Sequence, residues 1–335
     1  MTNALVELVE KQHLLQWMHR AERSPNQLND VFEADCELVT LQDGQTLAVT
    51  TDAIAEEIAL GLYKDPYTCG WTAATASLSD LAAVGATPIG LLLSTCFGSE
   101  VNHDFRSSVS RGFSDAATRA GTYVLGGDCS QGGQTVLTST GVGICKTPLT
   151  RISAQEGDVL VLSGQNGLGP ALAYNLLLNC GSDLEKYFQP YLEPAIKISF
   201  AENARAMIDT SDGILSAVTT LCALNGVGAR LTWNEKTLDS RAMQFCNAHE
   251  IPLWALWVAE HGDYQLLAVM SKDNAAHVDG HVIGEIAPEG TFDLMIDGMC
   301  RTIDPSWGQL VAQTHPSEYK ARCRALIDEF RSWGP

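Results

Sequence analysis

Apolar and polar positions along the chain follow two rhythms. Near the start, Leu5, Leu8, Val9, Leu14 and Leu15 recur at roughly the spacing of one helical face, and Arg23-Ser24-Pro25-Asn26 stops the pattern. This predicts an amphipathic helix within the first thirty residues. The β-prone run at 46–50 predicts a strand, and the Ala-rich stretch at 70–84 predicts a long helix broken by Gly85-Ala86-Thr87-Pro88. Residues 89–95 read as a buried strand and 102–120 as a helix stopped by Gly121. Residues 122–125 read as a strand running into Gly126-Gly127-Asp128, and 135–145 as a further strand. This mixture points to an α/β or α+β lobe.

The rhythm resets near Lys146-Thr147-Pro148. A second set begins with a strand at 158–163, a Gly-rich turn and an apolar helix at 171–178. It continues with helices at 195–207 and 213–224 and strands at 229–233, 264–270 and 281–286. A chain of 335 residues exceeds the usual single domain, so two domains are expected, 1–148 and 149–335.

Composition narrows the possibilities. Hydrophobic residues at 45% and charged residues at 18% describe an ordered globular protein. Apolar runs such as Leu91-Leu92-Leu93 and Val159-Leu160-Val161-Leu162 fall far short of the roughly 20 residues a bilayer requires. Glu7, Glu10 and Lys11 interrupt the apolar pattern of the first twenty residues, unlike a secretory signal. The expectation is a cytoplasmic protein with no membrane partner. Ten cysteines stand without any Cys-x-x-Cys pair and read as free, mostly buried thiols. A net charge of −19 disfavours nucleic-acid backbones and favours a small ligand. An anionic nucleotide would bind only with metal ions to offset the repulsion.

The candidate chemistry lies in aspartates at the ends of elements. Thr50-Thr51-Asp52 closes a strand, and Ser77-Leu78-Ser79-Asp80 sits in the Ala-rich helix. Gly126-Gly127-Asp128 offers a carboxylate on a turn, and Asp209-Thr210-Ser211-Asp212-Gly213 precedes a helix. Any one of these is an ordinary cap or turn residue. Together they suit phosphoryl transfer, which needs oxygen ligands for Mg²⁺, neutralised phosphoryl charge and aligned reactants. The segment Gly164-Gln165-Asn166-Gly167-Leu168-Gly169 also lies between a strand and a helix, but lacks the spacing and the Lys of a phosphate loop.

Taken in order, Thr50-Thr51-Asp52, residues 77–88 (SLSDLAAVGATP), Leu125-Gly126-Gly127-Asp128 and residues 208–213 (IDTSDG) resemble the successive signatures of the thiamine-monophosphate kinase family. The wider group includes aminoimidazole ribonucleotide synthetase, selenophosphate synthetase and a hydrogenase maturation factor. The similarity covers roughly residues 30–290. It implies a two-domain α/β (α+β) fold whose N-terminal domains join their sheets into a barrel in a homodimer, and an ATP- and Mg²⁺-dependent kinase acting on a small-molecule phosphate acceptor. It further implies that Asp35, Asp52, Asp80, Asp128, Asp209 and Asp212 hold metal, with Thr50 and Thr51 adding oxygens. Arg151 and Ser211 would contact ATP, Gly126 and Gly127 would let the backbone approach it, and Asp52, Asp128 and Asp212 would stand at the reacting groups.

Departures from the family pattern cluster on the acceptor side. Ala59 replaces a His, Gly262 replaces an acid, Ala34 replaces the first Asp of a Gly-Asp-Asp motif, and an Asp is missing near Leu168. His261 reads as an exposed loop residue. The expectation is a phosphotransferase whose acceptor is not thiamine phosphate. The alternatives are a genuine thiamine-monophosphate kinase, an enzyme that activates an amide or carboxylate oxygen, and a non-catalytic nucleotide-binding relative.

Overall fold

The structure, a computed structural model, describes residues 9–18, 20–309 and 316–333. Of the predicted N-terminal helix, Val9–Met18 (α1) is helical, while Leu5 and Leu8 lie outside the described residues.

The first sheet comprises β1 (Glu37–Thr40), β2 (Thr46–Ile54), β3 (Ala86–Gly98), β4 (Val124–Gly132) and β5 (Val136–Cys145), in the order β1-β2-β5-β3-β4. Only β3 and β4 pair in parallel. Alternation decides its inner face: Leu137, Ser139, Gly141, Gly143 and Cys145 of β5 are buried, as are Thr46, Ala48, Thr50 and Ile54 of β2. After the short α2 (Glu56–Leu60), helix α3 (Pro66–Ala83) packs on that face. Asp65 starts it by accepting hydrogen bonds from the amides of Tyr67 and Thr68, with Pro66 in the first turn, where its missing N–H costs nothing.

Helix α3 is buried on nearly every side, which explains why its sequence is small and apolar rather than amphipathic. It meets α4 (His103–Arg119) backbone to backbone. A Cβ on Gly70 would fall 1.9 Å from the Val109 carbonyl oxygen, and one on Gly112 would fall 2.0 Å from that of Tyr67. At the far edge of the sheet, residues 124–131 of β4 are all exposed.

The second sheet holds β6 (Val159–Leu162), β7 (Ala206–Asp209), β8 (Gly228–Thr232), β9 (Leu266–Met270), β10 (His281–Ala287), β11 (Phe292–Ile296) and β12 (Met299–Thr302), in the order β12-β11-β8-β10-β6-β9-β7. Strands β6 and β9 are continuous apolar runs buried throughout. Around it lie α5 (Leu168–Leu178), α6 (Pro194–Asn203), α7 (Ile214–Asn225), α8 (Ser240–Ala248), α9 (Lys272–Ala275) and α10 (Pro316–Arg331). Helix α3 also touches β7 and β9, and the Trp71 indole donates to the Pro190 carbonyl at 2.9 Å, so one core runs through both sheets.

Three readings of the sequence change. The helix expected at 195–207 divides into α6 and β7, because a short apolar run such as Ala206-Met207-Ile208 has no period that separates strand from helix. The strand expected from 264 starts at Leu266, since Tyr264 has φ of 57°. Helices α2, α8, α9 and α10 and strands β1, β11 and β12 lie where the sequence pattern predicts no element. None of the ten cysteines is in a disulfide, and six are buried. Among the described residues no helix is long and apolar enough to cross a membrane.

Candidate active site

Three segments far apart in sequence deliver carboxylates to one place. Asp35 precedes β1, Asp80 occupies the last turn of α3 and Asp209 ends β7. One oxygen from each carboxylate lies within 4.8 Å of the other two. Hydroxyls fix their orientation. Thr50 donates to Asp80 Oδ2 at 2.5 Å, Ser79 donates to Asp209 Oδ2 at 2.6 Å, and Ser211 donates to Asp209 Oδ1 at 2.9 Å. Asp52 stands two residues beyond Thr50 and so on the same face of β2. Asp35, Thr50, Asp52, Asp80, Asp209 and Ser211 open onto a cavity of about 950 Å³, which Thr51, Arg151 and Asp212 also line.

Burial and mutual repulsion set the charge state. Burial first, then Asp52, Asp209 and Asp35, push the Asp80 carboxyl well above its usual range. Burial and the neighbouring Asp35 carry Asp209 up to about 7, against hydrogen bonds from Ser79 and Ser211. Asp52 is raised by burial, with the hydrogen bond to Asp80 opposing. Among the described residues that line the cavity, Arg151 is the only Lys or Arg. Its Nε donates to Asp35 Oδ2 at 3.1 Å and its Nη2 to Asp35 Oδ1 at 2.8 Å. Burial disfavours the guanidinium charge, but Asp35 more than restores it. One guanidinium leaves several acids uncompensated. Hard oxygen donors this close together, held apart from solvent and resisting ionisation, fit a divalent cation such as Mg²⁺.

The predicted residues Asp35, Thr50, Thr51, Asp52, Asp80, Arg151, Asp209, Ser211 and Asp212 therefore share one cavity. Asp128, Gly126 and Gly127 do not join them within one chain. The register runs from Asp128 to Ser94, to Thr138, to Ala53. That places Asp128 three strand spacings from β2, roughly 14 Å, on the face opposite Asp52.

The acceptor-side departures acquire physical reasons. Gly262 donates its N–H to the Ser211 carbonyl at 2.8 Å, and a Cβ there would lie 1.6 Å from the Thr210 carbonyl oxygen. Position 262 is thus a backbone contact against the turn that carries Asp209 and cannot bear an acid in this packing. Ala34 is buried. The Gly167 and Gly169 amides, which a phosphate loop would need free, donate to Asp263 at 2.6 Å and 2.8 Å. Burial pushes Asp263 up to about 6, against these amide bonds.

His261 requires a correction: it is buried, not exposed. It shares a 2.8 Å hydrogen bond between Nε2 and the Tyr63 hydroxyl, and burial lowers its pKa to about 4. His261 and Tyr264 line the cavity together with Glu56, Glu57 and Glu260. No local motif announces this end. Tyr63 and His261 are 198 positions apart, and the Phe188 ring packs against both of theirs.

The chain matches the family described as AIR synthase related protein, N-terminal domain, over residues 33–145. The thiamine-monophosphate kinase of Rhodopirellula baltica is 30% identical over 212 residues, covering 63% of this chain; the chain spans 63% of that relative's length. The thiamine-monophosphate kinase of Escherichia coli O157:H7 is 28% identical over 283 residues, covering 79% of this chain and 85% of its own. The solved structure of AaThiL complexed with AMPPCP and TMP shares the fold, with a TM-score of 0.73 at 22% identity over 88% of this chain and 94% of that one.

Proposed function

The chain belongs to the thiamine-monophosphate kinase family of the AIR-synthase-like superfamily, and from that premise we propose that it moves the γ-phosphate of ATP to an oxygen of a small acceptor. The observation that carries this reading is the meeting of Asp35, Asp80 and Asp209 on the wall of one large cavity. Asp35, Asp52, Asp80, Asp209 and Asp212 would hold Mg²⁺, with Thr50 and Thr51 beside them. A bound divalent cation screens the negative charge of the phosphoryl oxygens and so permits attack by an anionic oxygen.

The chain's own groups do the rest. Ser79, Thr50 and Ser211 hold the carboxylates in register. Arg151 would grip phosphate oxygens with its planar fork, which in this structure holds Asp35. Asp52, with its raised affinity for protons, would take the proton of a hydroxyl acceptor. No protein nucleophile is required. The open edge strand β4, with Val124 and Leu125 exposed, supports a homodimer built through that sheet, in which Asp128, Gly126 and Gly127 would act toward the second copy. The division into residues 1–148 and 149–335 is part of the same proposal. The acidic cluster would then straddle the two domains, because Asp209 comes from the second.

The acceptor divides the readings. Ala59 and Gly262 favour one other than thiamine phosphate. The second reading, thiamine monophosphate itself, is favoured by Glu57 and Glu260, which give the same cavity acidic groups that could face a cationic ring. The test is ADP formation with thiamine monophosphate alone and with a panel of small metabolites, with the product read by mass spectrometry. Thiamine diphosphate selects the second reading, and another phosphorylated product selects the first. ATP consumption that needs an added nitrogen or sulfur nucleophile would replace both with an activating enzyme.

A further inference from the structure

Asp35 is claimed twice. Both of its oxygens take hydrogen bonds from the Arg151 guanidinium, at 3.1 Å and 2.8 Å, and its side chain is only 1% exposed. The same carboxylate supplies one corner of the Asp35, Asp80 and Asp209 cluster. A buried carboxylate needs a compensating charge, and either a guanidinium or a divalent cation can supply it. Both at once would place two positive species against each other across one small group.

We propose that Arg151 and a divalent cation are alternative partners of Asp35, and that the guanidinium displaced by the cation turns to the phosphate oxygens of the nucleotide. Arg151 lines the same cavity, so the transfer is a change of hydrogen-bond partner along one wall. Cation entry and nucleotide entry are thereby tied together: the cation frees the fork that the nucleotide uses, and the nucleotide takes away the charge that competes with the cation. The inference rests on the reading of the cavity as a metal and nucleotide site.

A simpler role competes with it. Arg151 also donates its backbone N–H to the Glu33 carbonyl at 2.6 Å and Nη1 to the Phe32 carbonyl at 3.3 Å, so it could serve only to brace the 32–35 segment. The two roles predict opposite signs. A brace holds Asp35 in place for the cation, and its loss weakens cation binding. A competitor's loss strengthens it.

The experiment is Mn²⁺ binding to the full chain without nucleotide at pH 8, followed by electron paramagnetic resonance, for wild type and Arg151→Met. Removing one unit charge about 5 Å from a divalent ion is worth roughly tenfold even at the dielectric constant of water, so Arg151→Met is expected to bind Mn²⁺ at least about tenfold more tightly. ATP at saturating Mn²⁺ is expected to bind at least about tenfold more weakly. Arg151→Lys, which keeps a charge but loses the fork, should shift Mn²⁺ binding in the same direction by less.

Asp35→Asn supplies an independent arm. It should weaken Mn²⁺ binding while tightening ATP binding in EDTA, because it releases the guanidinium. Unchanged or weaker Mn²⁺ binding by Arg151→Met, with an unchanged thermal midpoint, overturns the exchange and leaves the metal site standing. If Arg151→Met does not fold, tighter ATP binding by Asp35→Asn in EDTA supports the exchange and its absence overturns it. A wild type that binds no Mn²⁺ removes both the exchange and the metal site beneath it.

Discussion

Replacing Asp80 with Asn should make the protein more stable, provided no divalent cation is present. One Asp80 oxygen lies within 4.8 Å of one oxygen each of Asp35 and Asp209. At an effective dielectric constant near 20, two charges at that distance repel by about 3 kcal/mol. Part of this is already avoided, because Asp80 and Asp209 resist ionisation. The gain is therefore about 1–3 kcal/mol rather than the full repulsion. Asn retains an oxygen to accept the Thr50 hydroxyl, so little hydrogen bonding is lost. The assay is thermal unfolding at pH 8 in EDTA and again in Mg²⁺. In EDTA the variant should melt a few degrees above wild type. In Mg²⁺ the wild-type midpoint should rise and that of the variant should move little. A variant that is less stable in EDTA and responds to Mg²⁺ as wild type does would refute the reasoning, and would mark Asp80 as an ordinary buried structural acid.

Three further outcomes follow from the same geometry. His261 has a pKa of about 4 in the fold against an ordinary value near 6.5, so the unfolded chain takes up a proton that the folded chain refuses. Stability present above pH 6.5 is thus lost as the pH falls toward 4, by up to about 3 kcal/mol; urea unfolding of His261→Gln at pH 7 and pH 4.5 should show that contribution missing. Gly262→Ala, which must place a Cβ 1.6 Å from the Thr210 oxygen, should cost at least about 3 kcal/mol in denaturant unfolding; a loss under 1 kcal/mol would show that the contact between the 262 and 210 backbones yields easily. Asp263→Asn keeps an acceptor for only one of the Gly167 and Gly169 amides and should cost about 1–3 kcal/mol in the same assay.

The metal-side residues were legible in the sequence because each breaks its local pattern: Asp52 in the polar Thr-Thr-Asp stretch of strand β2, Asp80 among small helical residues, Asp209 before a helix start. Their convergence was legible only through the family resemblance. No periodicity states that α3 lies between two sheets and brings Asp80 to Asp209. The acceptor end was not legible at all. Gly262 looks like a lost acid until the Thr210 carbonyl is found where its side chain would be, and His261 looks like a loop residue until Tyr63 is found against it. Contacts of that kind depend on how loops pack, and single loops carry no repeating signal. Strands β11 and β12 differ: Asp297-Gly298, both with positive φ, is a local hairpin signal that the sequence does carry.

The central claim is that this acidic cavity transfers phosphate from ATP with the help of a divalent cation. Its most direct test follows the label of γ-³²P-ATP into small-molecule product, using the purified chain with a metabolite extract supplemented with thiamine monophosphate. Wild type should yield a labelled product in Mg²⁺ and none in EDTA, and Asp52→Asn should lose most of it. Full transfer by Asp52→Asn, or equal transfer in EDTA, would contradict the account.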